Sequence, residues 1–268
     1  MKIINHYEIR LDEWMWAPEL YGVFAKYRNK DTFFFECRRV LYAFVQGQPA
    51  PEIVRTHPSL PLPSSWRLVE VSDVPYLVFD DTMGLNLSSE QWLEPLPDAL
   101  HAAYQKHVMP EKHLVEDAFE FGDYRITHKG QMGYSCARQG EHIWDFQGRA
   151  YLYTDINRWQ NRVFFGTAGH GGYFYALELD SGEPVAAIRT GGTCCIVHQE
   201  NHCYFLRYDK KTELLCLDLN SGEITDSVIL PGQTNYSRLQ LLDGRLHMIT
   251  FQYRKDRLQQ AVWSIVQP

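Results

Sequence analysis

Two adjacent aspartates, Asp80 and Asp81, are the residues whose types and spacing come nearest to acid–base chemistry in this sequence. Paired carboxylates can act as general acid and general base when a cleft perturbs their pKa values. His128 and His170 could take part in such proton transfers, as in a lyase or hydrolase acting on a small polar substrate. The same side chains could equally be ordinary loop residues that contact water or a partner protein.

Other motifs that signal catalysis or metal binding are incomplete. The spacing of His198 and His202 would suit a metal only on a helix, whereas these residues span a predicted strand end and a loop. The glycine-rich segment 166–173 lacks the strand-to-helix context and the lysine of a phosphate-binding loop. No Gly-x-Ser-x-Gly motif occurs, and spacing alone assembles no catalytic triad. We therefore expect no catalytic residues, no metal site and no cofactor.

Composition narrows the class of protein. With 268 residues, 45% of them hydrophobic and 14% aromatic, the chain can bury a large core and favours β structure. A formal net charge of −7 argues against a nucleic-acid-binding protein, which needs clustered lysines and arginines. The N-terminal segment lacks a continuous apolar signal region, and no apolar run reaches the roughly 18 residues of a membrane helix. The six cysteines show no C-x-x-C pairing, so we expect reduced thiols and a cytoplasmic location.

A sequence repeat predicts the elements that position these residues. Residues 163–183 align with residues 203–223 without a gap, and both copies contain Leu-x-Leu followed by Asp or Asn and Ser-Gly-Glu. The alternation of apolar and polar residues predicts half-buried strands, and the Ser-Gly pair predicts the turn after them. Fainter copies occur at 40–49, 84–92, 135–144 and 246–266. The second strands of the six units are predicted near Phe33, Tyr76, Tyr124, Val163, Cys203 and Leu246.

Six units of about forty residues predict an all-β, six-bladed β-propeller whose blades are four-stranded antiparallel sheets. The last unit supplies only three strands, so the N-terminal segment 2–11 is predicted to close the last blade as its fourth strand. Segment 96–121 is predicted to be a short helical insertion between blades two and three, with Asp98 as N-cap and Pro110 as a break. The Pro-rich segment 48–66 is interpreted as a loop between blades one and two. Residues 1–268 are thus predicted to form a single domain.

The turns at 176–183 and 216–223 resemble the pyrroloquinoline-quinone-type propeller repeat, whose signature is roughly Ala-x-Asp-x-x-Thr-Gly-x-x-x-Trp. The third unit has a tryptophan at that family's spacing, from Gly140 to Trp144, and the second has a looser match in Trp92. The resemblance is best over residues 124–226 and implies the propeller fold, but no single function. Quinone enzymes of the family use eight blades and a disulfide between adjacent cysteines, whereas this chain has six units and places Cys194-Cys195 in a predicted inner strand. No quinone is therefore expected.

On a propeller, the loops between second and third strands and the connections between blades emerge on one face, where ligands usually bind. Rigid aromatic and amphipathic side chains such as Tyr236 and His170 could anchor a partner there. The predicted binding residues are Asp80, Asp81, His128, His170 and Asp209 on the first kind of loop, Asn235 and Tyr236 on the second, and Glu111, Glu116 and Asp117 in the insertion.

These observations predict a non-catalytic, protein-binding propeller. The acidic charge, the small size and the lack of an export signal would suit a bacterial immunity protein that neutralises a basic toxin by direct binding, since opposite charges speed the encounter. The alternative is a small-molecule lyase or hydrolase acting at the mouth of the propeller channel. A scaffold within a larger assembly is a third possibility.

Overall fold

In a computed structural model, the described part of the chain folds into short antiparallel sheets and one helix. The structure describes residues 1–9, 22–61, 65–108, 118–130, 132–168, 171–192, 195–209, 211–232, 239–254 and 257–268. Within these ranges, 24 strands form six four-stranded sheets. The described part contains no helix that is long and apolar enough to span a bilayer.

The strands are numbered along the chain, and β1 (Lys2–Ile9) is the N-terminal one. Sheet 1 consists of β2 (Gly22–Tyr27), β3 (Lys30–Cys37), β4 (Val40–Val45) and β5 (Glu52–Thr56). Sheet 2 consists of β6 (Arg67–Val71), β7 (Val74–Val78), β8 (Gly84–Asn86) and β9 (Trp92–Leu93). Helix α1 (Asp98–Val108) follows sheet 2.

The remaining sheets follow the same plan. Sheet 3 consists of β10 (Ala118–Phe121), β11 (Tyr124–Lys129), β12 (Gly133–Arg138) and β13 (Glu141–Gln147). Sheet 4 consists of β14 (Asn157–Trp159), β15 (Arg162–Gly166), β16 (Tyr173–Glu178) and β17 (Pro184–Arg189). Sheet 5 consists of β18 (Ile196–Gln199), β19 (His202–Tyr208), β20 (Thr212–Asp218) and β21 (Glu223–Ile229). Sheet 6 combines β22 (Leu239–Leu242), β23 (Arg245–Arg254) and β24 (Arg257–Gln267) with β1.

The predicted repeat units are confirmed as sheets. Each of the six residues used to mark a second strand lies in the second strand of its sheet. The N-terminal strand is confirmed as the fourth strand of sheet 6, because the strand order there is β1-β24-β23-β22. Residues 10 and 11 of the predicted closing segment lie outside the described residues.

Two details of the prediction are wrong. Segment 48–66 is not all loop, because Glu52–Thr56 pairs with β4 as the outer strand of sheet 1. Its prolines flank the strand, and Val54 packs on the core while Ile53 is 65% exposed, as expected for an edge strand. The predicted insertion ends early, because Ala118–Phe121 forms the first strand of sheet 3, with Ala118 and Phe119 buried.

The helical half of the insertion is confirmed by α1, although Asp98 does not cap it. The carbonyl of Pro97 accepts the N–H groups of Leu100 and His101, each at 2.9 Å, so Asp98 lies inside the first turn. A negative charge there interacts favourably with the helix dipole. Pro110, the predicted break, lies outside the described residues.

The chain divides into two compact units. Unit 1 comprises residues 1–3, 111–235 and 267–268 and contains sheets 3, 4 and 5. Unit 2 comprises residues 4–110 and 236–266 and contains sheets 1 and 2, α1 and nearly all of sheet 6.

In unit 2, neighbouring sheets pack face to face. Aromatic residues of sheet 1, among them Phe24, pack against Trp263 of sheet 6, and a second cluster joins sheet 1 to sheet 2. The side chain of Gln240 in β22 donates to the carbonyl of Phe24 in β2 at 2.7 Å and accepts its N–H at 3.0 Å. The first strands of sheets 6 and 1 are therefore linked. Helix α1 covers sheet 2 through Leu100 and Tyr104.

In unit 1, sheets 3, 4 and 5 also pack face to face in chain order. Trp144 of β13 reaches the turn at residues 179–182 of sheet 4, and its indole N–H donates to the carbonyl of Leu179 at 2.8 Å. A Cβ atom on Gly182, whose φ is 72°, would lie 2.6 Å from that indole ring. The turn glycine therefore serves both the backbone conformation and the seating of the tryptophan.

Candidate binding surface

Four of the ten predicted binding residues fall in described parts of the chain. Asp80 and Asp81 lie in unit 2; in unit 1, His128 lies in sheet 3 and Asp209 lies on a loop of sheet 5. The other predicted residues lie outside the described residues: His170, Asn235, Tyr236, Glu111, Glu116 and Asp117.

The Asp80 carboxylate stabilises its own loop, which joins β7 to β8. Its Oδ1 atom accepts the Thr82 N–H at 2.8 Å, the Thr82 hydroxyl at 2.6 Å and the Met83 N–H at 3.2 Å. This is the local pattern by which an aspartate fixes a turn. Asp81 beside it is exposed. Asp80 therefore stabilises the loop, whereas Asp81 faces solvent.

His128 lies within β11, and its predicted position on a loop is wrong. The strand continues to Lys129 because His128 pairs with Tyr134 across to β12. Its ring makes an edge contact with the Tyr134 ring, with 5.3 Å between centroids, and within the described ranges its buried Nε2 atom has no hydrogen-bond partner. Burial raises the pKa of the Tyr134 phenol. Asp209 is exposed on the loop between β19 and β20, as predicted.

The buried thiols are poor nucleophiles. Burial raises the pKa of Cys136 to about 11 and that of Cys203 further, so both stay protonated at neutral pH. Of the described cysteines, Cys37 and Cys195 are half-buried, and Cys194 lies outside the described residues. No group of three metal-ligating side chains comes together within the described ranges.

Two exposed aromatic side chains, Tyr151 and Tyr153, lie instead on the segment between sheets 3 and 4. We call this surface the tyrosine patch and define it by Met132, Arg149, Tyr151, Tyr153 and Tyr173. Tyr151 is 57% exposed, Tyr153 40% and Met132 36%, which makes them three of the most exposed large apolar side chains in the described chain.

The backbone beneath the patch is held in an extended conformation. Gly148 N–H donates to the carbonyl of Met132 at 2.8 Å, and Tyr153 N–H donates to that of Gly166 at 2.9 Å. The carbonyl of Tyr151 accepts the N–H of Ala168 at 2.9 Å. Side chains alternate in direction along an extended segment. Tyr151 and Tyr153 therefore both point outward, whereas the Ala150 side chain points the other way and is buried.

Arg149 organises the other side of the patch. Its guanidinium donates to the Tyr173 hydroxyl at 3.0 Å and lies 5.4 Å from the centre of the Tyr173 ring. Its backbone N–H donates to the Tyr175 hydroxyl at 3.2 Å, and the rings of Tyr173 and Tyr175 stack with 5.5 Å between centroids. The Tyr173 ring is thus covered by a cation of the same chain.

The tyrosine patch was not among the predicted binding residues. The segment 148–154 lies between two repeat units and carries no motif. Its signal is the alternation in Arg149-Ala-Tyr-Leu-Tyr153, which reads as an edge strand with both tyrosines on one side.

Comparisons with known proteins give distant similarities only. No protein-family model matches the chain, and no curated protein matches it. Among solved structures, BamB from Moraxella catarrhalis is similar at 13% identity, covering 98% of this chain and 97% of that one, with a TM-score of 0.42. The computationally designed Ika8 protein is similar at 10% identity over 90% of this chain and 70% of that one, with a TM-score of 0.39.

A chain of the mitotic checkpoint complex is similar at 9% identity, covering all (100%) of this chain and 84% of that one, with a TM-score of 0.39. TM-scores this low carry no argument about the fold or the partners of this chain. Its fold class therefore rests on its own strand pairing. The described residues form six four-stranded antiparallel sheets and one short helix, an arrangement consistent with a six-bladed propeller.

Proposed function

We propose that the chain is a non-catalytic, protein-binding β-propeller made of a single domain. In this proposal the six sheets are the blades of a closed ring, β1 closes the last blade, and α1 is an insertion between blades two and three. The supports are the strand order of sheet 6 and the face-to-face packing of consecutive sheets within each unit. The turns that resemble the pyrroloquinoline-quinone-type repeat support the same fold.

The tyrosine patch carries the proposal of protein binding. Tyrosine, arginine and methionine are enriched at protein–protein interfaces, where a few rigid aromatic side chains supply most of the binding energy. The hydrogen bonds that fix the backbone at 148–153 mean that the main chain at Tyr151 loses little conformational freedom on binding.

The rival enzymatic function has weaker support. Its proposed base Asp80 is held by three donors of its own loop, and the Nε2 atom of its proposed histidine, His128, is buried. A general acid or base must reach the reacting atom. In the described residues, Asp80 and His128 thus stabilise the fold.

In its finer form, the proposal is that of a bacterial, cytoplasmic immunity protein that neutralises a basic toxin. The net charge of −7 supports a basic partner, because opposite charges accelerate association and weaken wrong encounters. The affinity for such a partner should fall as the salt concentration rises.

The test is co-purification with the tagged chain from its native cell, followed by calorimetry on the purified pair. We expect one dominant basic partner, and about 100-fold weaker binding when Tyr151 and Tyr153 are both changed to serine. Ile229→Ser is the matched control, since Ile229 is 53% exposed on the edge strand of sheet 5. The absence of a partner, or a partner whose affinity depends on Ile229 and not on the tyrosines, would contradict the proposal.

A further inference from the structure

Several buried or half-buried aromatic rings of this chain are covered by arginines. The guanidinium of Arg28 lies 4.6 Å from the centre of the Tyr27 ring, and that of Arg55 lies 4.6 Å from the Trp92 ring. The Tyr124 ring has Arg138 at 5.1 Å. Arg149 covers Tyr173 in the tyrosine patch itself. An arginine over a ring is attracted by the negative face of the π system.

Tyr151 differs from these rings. It is the more exposed of the two outward tyrosines, at 57%, and its side chain has no ring contact, cation or hydrogen bond among the residues that the structure describes. Its backbone is nevertheless fixed, because its carbonyl accepts the Ala168 N–H. The backbone that carries this exposed ring is therefore held in a defined position.

We propose that a lysine or arginine of the partner protein stacks on the Tyr151 ring. This inference rests on the proposed function and names the chemistry of its contact. Two observations select a cation as the occupant: the net charge of −7 attracts a basic surface, and Arg149 shows that a ring of this patch accepts a guanidinium. Because Arg149 already covers Tyr173, Tyr151 is left to receive the cation from outside.

A first experiment uses small probes and the full chain. N-acetyl-arginine amide is titrated while the Tyr151 ring signals are followed by carbon–proton NMR, with N-acetyl-citrulline amide as the uncharged probe of the same shape. We expect the arginine probe to shift the Tyr151 signals and the citrulline probe to leave them in place. Equal shifts with both probes, or none with either, would overturn the proposal.

A second experiment separates the π system from apolar area. Tyr151→Phe keeps the ring, and Tyr151→Leu keeps apolar bulk without it; both changes are at an exposed side chain and should leave the fold intact. Against the co-purified basic protein, we expect Tyr151→Phe to change the affinity less than about 3-fold and Tyr151→Leu to weaken it about 10- to 30-fold. Equal effects of the two variants would overturn the cation contact and leave the protein-binding function standing.

The two proposals can also fail separately. If no protein binds the tyrosine patch, the proposed function fails, while the arginine probe still tests Tyr151 alone. A wild-type dimer in sedimentation that Tyr151→Leu dissolves would overturn the inference, because a second copy of the chain would then cover the ring.

Discussion

Trp144 and Trp92 follow related turns in sheets 3 and 2, yet they pack in different directions. Trp144 is 6% exposed and reaches the turn of the following sheet, where it hydrogen-bonds to Leu179. Trp92 is half-buried, stacks on Phe79 of its own sheet at 5.1 Å and is covered by Arg55 of the preceding sheet. Of these two tryptophans, Trp144 is the one that joins its sheet to the next by a buried hydrogen bond.

Spacing from the turn explains the difference. Trp144 lies four residues after Gly140. In sheet 2 the N–H of Asn86 donates to the carbonyl of Gln91 at 2.9 Å. The N–H of Glu178 makes the same hydrogen bond to the carbonyl of Glu183 in sheet 4. Aligning the two turns on these bonds places Glu90 at the position of Gly182. Trp92 then lies only two residues beyond the turn position. A two-residue difference changes where the indole ring can reach.

The two turns also show what the repeat requires. Glu90 has a φ of 60° and Gly182 a φ of 72°, so both positions need the left-handed conformation. Glycine adopts this conformation without strain, whereas for another residue it costs about 1 kcal/mol. Glu90 uses its side chain in return: it accepts the Tyr27 hydroxyl at 3.0 Å and Arg28 at 2.6 Å. The fold demands the conformation, and glycine is required where a neighbouring group leaves no room for a Cβ atom, as the Trp144 ring does at Gly182.

The largest expected effect is a difference in the free energy of unfolding between variants of the two tryptophans. We expect Trp144→Ala to lower the free energy of unfolding by about 3–5 kcal/mol, because it removes a buried ring and leaves a cavity between two sheets. Trp92→Ala should cost about half as much, since that ring is half-buried. Urea unfolding followed by circular dichroism measures both. Equal losses of stability would show that packing of Trp144 against the next sheet contributes nothing extra.

The next effect isolates the contact between Trp144 and its turn. Gly182→Ala combines a strained φ with a Cβ 2.6 Å from the indole ring, so we expect a loss of about 2–3 kcal/mol. Gly140→Ala is the matched control, because its φ is 87° and nothing lies within 4 Å of a Cβ there; about 1 kcal/mol is expected. Urea unfolding of the two variants gives the difference. If they unfold alike, the tryptophan does not require the glycine.

The smallest effect concerns Glu90. Hydrogen bonds from Arg28 and Tyr27 lower the pKa of its carboxyl from 4.5 to about 2. A carboxyl whose pKa is lower in the folded state stabilises the fold above its unfolded pKa and loses that contribution as the pH falls. The melting temperature should therefore decline between about pH 5 and 2 more steeply for the wild type than for Glu90→Gln. Parallel curves would mean that the ion pair contributes nothing.

The same comparison shows how far sequence reasoning reaches. The Leu-x-Leu and Ser-Gly-Glu pattern predicted six sheets because alternation and turn chemistry are local properties. Glu52–Thr56 was missed because the prolines around it are typical of a loop, and Ala118–Phe121 because it follows directly on the insertion. Both strands are defined by the neighbours they pair with.

The site was less predictable than the fold. The loop positions of Asp80 and Asp209 were predicted, but His128 was placed on a loop although β11 continues through it. The exposure of Tyr151 depends on hydrogen bonds from the distant segments at Met132 and 166–168, which no local pattern records. Tertiary contacts decide which aromatic residues stay in water.

Hydrogen exchange measured by mass spectrometry, with and without the co-purified basic protein, tests the central claim that the tyrosine patch is the binding surface. We predict slower exchange on binding in the peptide that contains residues 148–154 and in the peptide that contains Met132. Protection confined to the turns at 180–183 and 220–223, with 148–154 unchanged, would contradict it.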